Sequence, residues 1–271
     1  MHFLTYSLNE QLRSAKTKMK TVIRLVKFEF QLVRVLFFRV IFERFANTIV
    51  AAVAGFGAVF YTSFASHGVF AITPSPENFS QLQGALLFSF LYAETIMANW
   101  QYTTNKSGRM ELIFNSTQPP LRIIFAKCFA SACITLGSLV ALYLLPLAWF
   151  GLLGTFNFAF WITASATLFV CSAVMSFNAI FEFQVKQVKA ITAMLNLVLP
   201  YLAIRNAAHL PAIYGFIPYF SGAKFLSLND HFIASDVALL YLFSATTGLF
   251  FLTLAQLVVR RIRNTASVYL E

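Results

Sequence analysis

From Cys128 to Phe181 the chain carries no charged residue. A stretch of that kind cannot be a solvated surface, and it is too long for one crossing of a bilayer, which takes about 20 predominantly apolar residues. Lipid offers no partner to an unsatisfied peptide group, so each crossing must satisfy its own hydrogen bonds as a helix. The sequence "GLLGTFN" at 151–157 puts glycine and asparagine in the middle of the run, where a turn is needed. Two spans are therefore predicted, at about 128–149 and 157–180.

The same counting extends along the chain. Residues 45–66 carry no charge, 78–105 carry only Glu94, 237–259 form a last clean run, and a shorter one follows Lys189 and ends at Arg205. Composition agrees: 59% of residues are hydrophobic and 11% charged, against about 45–50% and about 25% in soluble domains. Cys128, Cys133 and Cys171 all lie inside apolar runs without zinc or disulfide spacing, and are read as small packing residues. No metal site is expected. The first 44 residues show no uninterrupted apolar core and no cleavage site, so an uncleaved N-terminus is expected.

The positive charges set the number and direction of crossings. With six spans and an inside N-terminus, Arg13 to Arg44, Lys106, Arg109, Arg122, Lys127, Lys186, Lys189, Arg260, Arg261 and Arg263 all fall on the cytoplasmic side. Only Arg205 and Lys224 fall outside, as the preference of basic residues for the cytoplasmic side requires. A seventh span at 206–223 would send the "RRIR" cluster outward, and that stretch contains Pro211, Gly215, Pro218 and Gly222, which break helices. It is read as a pair of short helices dipping into the outer leaflet.

At about 100° per residue, Lys20, Arg24, Lys27, Gln31 and Arg34 form one stripe of a helix whose other faces hold Val22, Ile23, Val26, Phe30, Val33 and Phe37. That pattern suits a helix lying in the membrane plane. Glu29 faces away from the basic stripe and calls for a partner elsewhere. The resulting fold class is an all-α membrane protein of six transmembrane helices preceded by an in-plane amphipathic helix. Its parts are a cytoplasmic tail at 1–19, the interfacial helix at 20–44, a membrane domain at 45–260 with a re-entrant outer segment at 206–235, and a cytoplasmic tail at 261–271.

The inside loop between spans 2 and 3 reads "GRMELIFNSTQPPLRIIFAK" (108–127). Gly108 permits a turn, "RMELIF" has the length of about one and a half helical turns, and Pro119-Pro120 stops that helix before span 3. With the in-plane helix and six spans, the Gly108, Glu111, Pro120 and Lys127 spacing resembles the ABC-2 family of exporter permeases. Thr117 stands where that family usually has its first proline. The resemblance implies that the loop rests on a separate ATP-binding subunit and carries its motion into the membrane, through Gly108, Arg109, Glu111, Pro119 and Pro120. It further implies a homodimer with two ATP-binding subunits in a bacterial inner membrane, both termini cytoplasmic, exporting an amphipathic, lipid-like or drug-like molecule.

What is missing narrows the reading. There is no G-x-x-x-x-G-K-[ST] phosphate loop, so this chain holds no nucleotide by the usual route. ATP and magnesium would be bound by the partner, and the chain itself is expected to be no enzyme and to carry no cofactor. The loop by which importers touch their ATPases is not recognisable, which favours export. The Gly and Trp signature of capsule and O-antigen permeases is absent from "FERFANTIVAAVAGFG", leaving glycan export as the alternative. Membrane lipid is an expected partner and nucleic acid is not.

Polar residues inside spans are costly and often functional. Glu94 and Gln101, seven residues apart on one helix face, are candidate pathway residues, whereas Asn99 points roughly 140° away. The other reading of Glu94 is a carboxylate bonded within the bundle or reaching the headgroups. Glu182 and Lys186 have i, i+4 spacing, more structural than functional. Ala51, Gly55 and Ala58 give span 1 a face for close helix approach. Two rival classes remain: a membrane enzyme using His209, Asp230, His231 and Asp236, and an ion-coupled transporter, for which intramembrane acids are few.

Overall fold

The computed structural model describes residues 19–28, 30–31, 48–53, 57, 76–103, 113–184, 198–205, 211–228 and 231–268. Among the described residues every regular element is helical, in keeping with the all-α expectation. The elements are α1 (Pro76–Thr103), α2 (Pro120–Trp149), α3 (Phe158–Gln184), α4 (Leu199–Arg205), α5 (Phe220–Ser227) and α6 (Ala234–Val268), with 3-10 turns at Leu153–Thr155 and Ala212–Phe216. Three of them, α2, α3 and α6, are long and apolar enough to cross a membrane, which supports membrane insertion. Helix α1 matches the run predicted at 78–105 and has the length, but Gln81, Gln83, Glu94 and Asn99 make it more polar than those three. Of the run predicted at 45–66, residues 48–53 and 57 are helical. The run ending at Arg205 is represented by the seven residues of α4.

Helix α2 starts at Pro120, eight residues before the predicted span. Proline is well placed in a first helical turn, where its fixed φ suits the helix and its missing N–H would have had no partner. Pro119-Pro120 therefore opens the span helix itself, and Arg122 and Lys127 ride on its first two turns. At the other end Pro146 sits in the last turn, and the chain leaves through Gly151 at φ +70°. Gly151 N–H donates to the Ala148 carbonyl at 3.2 Å and Leu152 N–H to the Leu147 carbonyl at 2.7 Å, closing a Schellman motif. Asn157 then caps α3, its Oδ1 accepting the Phe160 N–H at 3.0 Å. Gln83 of α1 secures this turn from the side: its Nε2 donates to the Thr155 carbonyl and to Asn157 Oδ1, both at 2.8 Å.

Helix α3 is the hub, packing on α1, α2, α5 and α6, and most of its span is buried. Phe90, Tyr143, Phe160, Met175 and Ile180 lie fully inside. Close approach of α6 depends on Gly248, where an added Cβ would lie 3.1 Å from Cζ of the Phe169 ring and closer still to its near edge. Ser165 and Tyr241 hydroxyls add a 2.6 Å hydrogen bond across the same seam. The outer side of α6 exposes Leu239, Leu242, Leu249, Phe250 and Leu257, a surface suited to lipid and unsuited to water.

The proline-rich segment forms short elements, as its breakers predict. Pro211 precedes the 3-10 turn and Pro218 separates it from α5, with Tyr219 at φ 72° making the corner. Gly222 acts differently from the expectation. It lies inside α5 and breaks nothing; a Cβ there would stand 3.1 Å from Thr163, so its smallness lets α5 rest on α3. In the N-terminal helix, Lys20, Arg24, Lys27 and Gln31 are exposed, and so are Ile23, Phe28 and Phe30. Basic and apolar groups are thus exposed together on residues 19–28 and 30–31. Glu29 and Arg34 lie outside the described residues.

Candidate functional site

Seven of the described helical serines and threonines turn their hydroxyls back onto their own helix, a bond that satisfies the O–H locally. Ser89, Ser138, Thr163, Ser172, Ser176, Thr246 and Thr253 each donate to the carbonyl four residues earlier. Ser131 and Thr135 break the pattern. They stand one turn apart on α2 and both donate across the helix boundary to Glu94 of α1. Ser131 Oγ lies 3.3 Å from Oε2 and 3.4 Å from Oε1, and Thr135 Oγ1 donates to Oε1.

Glu94 itself is 2% exposed, with Ser131 at 7% and Thr135 at 2%. A carboxylate in that position loses its water, and burial without donors is prohibitive. Two converging hydroxyls replace part of the lost hydration and hold the carboxyl group in one orientation. Closer to the α2–α3 turn, Ser89 and Tyr143 hydroxyls meet at 3.1 Å, so α1 and α2 are joined by two polar contacts in succession.

The arrangement fixes a carboxyl group between two helices, held by two hydroxyls of α2. Among the described residues no group of three His, Cys, Asp or Glu converges as a metal site. Of the four residues considered for an enzyme, His231 is exposed and Asp236 caps α6, its carboxylate accepting the Ile233 N–H at 3.0 Å. His209 and Asp230 lie outside the described residues. Gln101 belongs to α1, two turns beyond Glu94, with its side chain outside the described set.

Gly108, Arg109 and Glu111 also lie outside the described residues. Of that loop, residues 113–119 are among those described. Ile113 and Phe114 are helical, residues 115–118 bend, and Ser116 Oγ donates to the Ile113 carbonyl at 2.7 Å and the Gln118 carbonyl at 3.0 Å. Pro119 then leads directly into α2. Ile113 and Phe114 pack partly buried against the main core. Ser131 and Thr135 were not singled out from the sequence; the available signal was a hydroxyl pair at i, i+4 in the span next to the one carrying Glu94. No protein-family model, curated protein or solved structure shows a significant match to the chain.

Proposed function

We propose that this chain is the membrane subunit of an ATP-driven exporter of the ABC-2 type, with six spans, an in-plane N-terminal helix and both termini in the cytoplasm of a bacterial cell. It works as a homodimer with two separate ATP-binding subunits, which bring ATP and magnesium, and it moves an amphipathic molecule outward. The observation that carries this reading is the joint between α1 and α2. Helical residues at Ile113–Phe114, a bend held by the Ser116 hydroxyl, and a proline pair feed directly into α2 without a slack residue. A force reaching Ile113 and Phe114 would pass to α2 as displacement, because the connection has fixed φ at two positions and a hydrogen-bonded bend. An ordinary loop would dissipate it.

The charge reversal Glu111→Lys tests the coupling. Co-expressed with an ATP-binding subunit, the variant is expected to insert normally and to lose most of the permease-dependent stimulation of ATP hydrolysis. Full stimulation would refute the assigned role.

A further inference from the structure

A pocket of about 100 Å³ opens between the short helices and the start of α6. Its walls are largely aromatic, from Tyr214, Phe220, Phe225 and Phe243. The fit is close: a Cβ added to Gly215 would lie 2.6 Å from the Phe243 ring. Two charges line it among the described residues. Lys224, in the last turn of α5, is half-buried, and Asp236, in the first turn of α6, holds the Ile233 N–H with one carboxylate oxygen. Among the described residues the two form no ion pair with each other or with any other side chain.

We propose that this pocket binds the headgroup of a zwitterionic phospholipid, with the phosphate on Lys224 and the ammonium on Asp236 and the aromatic walls. A charge facing apolar walls calls for an opposite charge, and a pocket presenting one of each sign complements a ligand carrying one of each. An ammonium gains further from the faces of Tyr214 and Phe220. A purely anionic headgroup would meet Lys224 favourably and Asp236 unfavourably, which is how a site rejects a near relative. A pocket of this size takes a headgroup and not a whole lipid. The chains lie outside. Leu239 lines the pocket yet is 46% exposed, and Leu242 beyond it is 56% exposed, so the opening gives onto the apolar side of α6. The site rests on the membrane placement of α6 and not on coupling to an ATPase.

The test uses the full chain purified in a neutral detergent, titrated with short-chain phosphatidylethanolamine, short-chain phosphatidylglycerol and free phosphoethanolamine, with binding read by native mass spectrometry. The ethanolamine lipid is expected to bind at least about tenfold more tightly than the glycerol lipid, the scale set by one charge-assisted contact. Free phosphoethanolamine should bind more weakly than the lipid because it lacks the chains. Lys224→Gln should weaken the ethanolamine lipid by about tenfold or more while Lys224→Arg retains it, and Asp236→Asn should raise the glycerol lipid toward parity. Equal binding of the two lipids to the unaltered protein would overturn the proposal, as would unchanged binding to Lys224→Gln. Free phosphoethanolamine binding as tightly as the lipid would overturn the lipid as occupant. None of these measurements involves ATP, so a negative result here leaves the export reading standing.

Discussion

Thr135→Val is the sharpest probe of the α1–α2 contact. Valine keeps the branched shape of threonine and removes only the hydroxyl that donates to Glu94 Oε1. Hydrogen bonds to charged groups contribute about 1.5–3 kcal/mol in soluble proteins, whereas interhelical hydrogen bonds in membranes average about 0.6 kcal/mol with a maximum near 1.7. Glu94 keeps Ser131 as a second donor, which softens the loss, so the expected cost is about 1–2 kcal/mol. The same substitution in a Glu94→Leu background should cost close to nothing. There the Thr135 hydroxyl has no carboxylate to reach and turns to the carbonyl of its own helix, as Thr163 and Thr253 do. The coupling energy from the four proteins is therefore predicted at about 1–2 kcal/mol. Reversible unfolding of the purified proteins in mixed detergent micelles measures all four stabilities. A Thr135→Val cost that is equal in the two backgrounds would show that Glu94 and Thr135 do not support one another, and the buried site would lose its basis.

Gly248→Ala should lower stability by about 1–3 kcal/mol, the usual cost of overpacking, because the new methyl group meets the Phe169 ring; Phe169→Leu should restore most of it, and an unchanged melting point in Gly248→Ala alone would contradict the close α3–α6 approach. For the proposed topology, cysteines at His67 and Asp230, in a background without the native three, should react with an impermeant thiol reagent applied outside, and cysteines at Ser107 and Thr265 should not. Outside labelling at Thr265 would overturn the six-span arrangement.

The apolar runs were the most legible feature because their cause is local: a helix in lipid must supply its own partners and its own apolar surface, residue by residue. The predicted runs at 128–149, 157–180 and 237–259 accordingly fall on α2, α3 and α6. Their ends were less legible, for a reason that α2 makes plain. A helix does not end where apolar residues end. Pro120 can begin one, Arg122 and Lys127 can ride on it, and Arg260, Arg261 and Arg263 continue α6 beyond its apolar part, since a charged side chain on a helix needs only to reach water. Glycine misled in the same way. Composition marks Gly215 and Gly222 as breakers, but a residue without a Cβ serves equally to let two backbones meet, and only the neighbouring Phe243 and Thr163 decide which use is made of it.

The site was half legible, and the division follows the same line. Glu94 stands out from its own segment because a carboxylate in an apolar run is costly wherever it points. Its partners do not. Ser131 and Thr135 are ordinary helix residues that could satisfy themselves at i−4, as Ser138, Thr163, Ser172 and Ser176 do, and nothing in their own segment says that they turn outward. What recruits them is the cost of leaving Glu94 without donors, and that cost arises only once α1 and α2 have packed. The two hydroxyls one turn apart then supply donors from a single helix face, at the spacing that places both side chains over the same neighbour. A buried acid in one span therefore makes a hydroxyl pair at i, i+4 in an adjoining span a specific expectation, with the register of the two helices set by where the three groups meet.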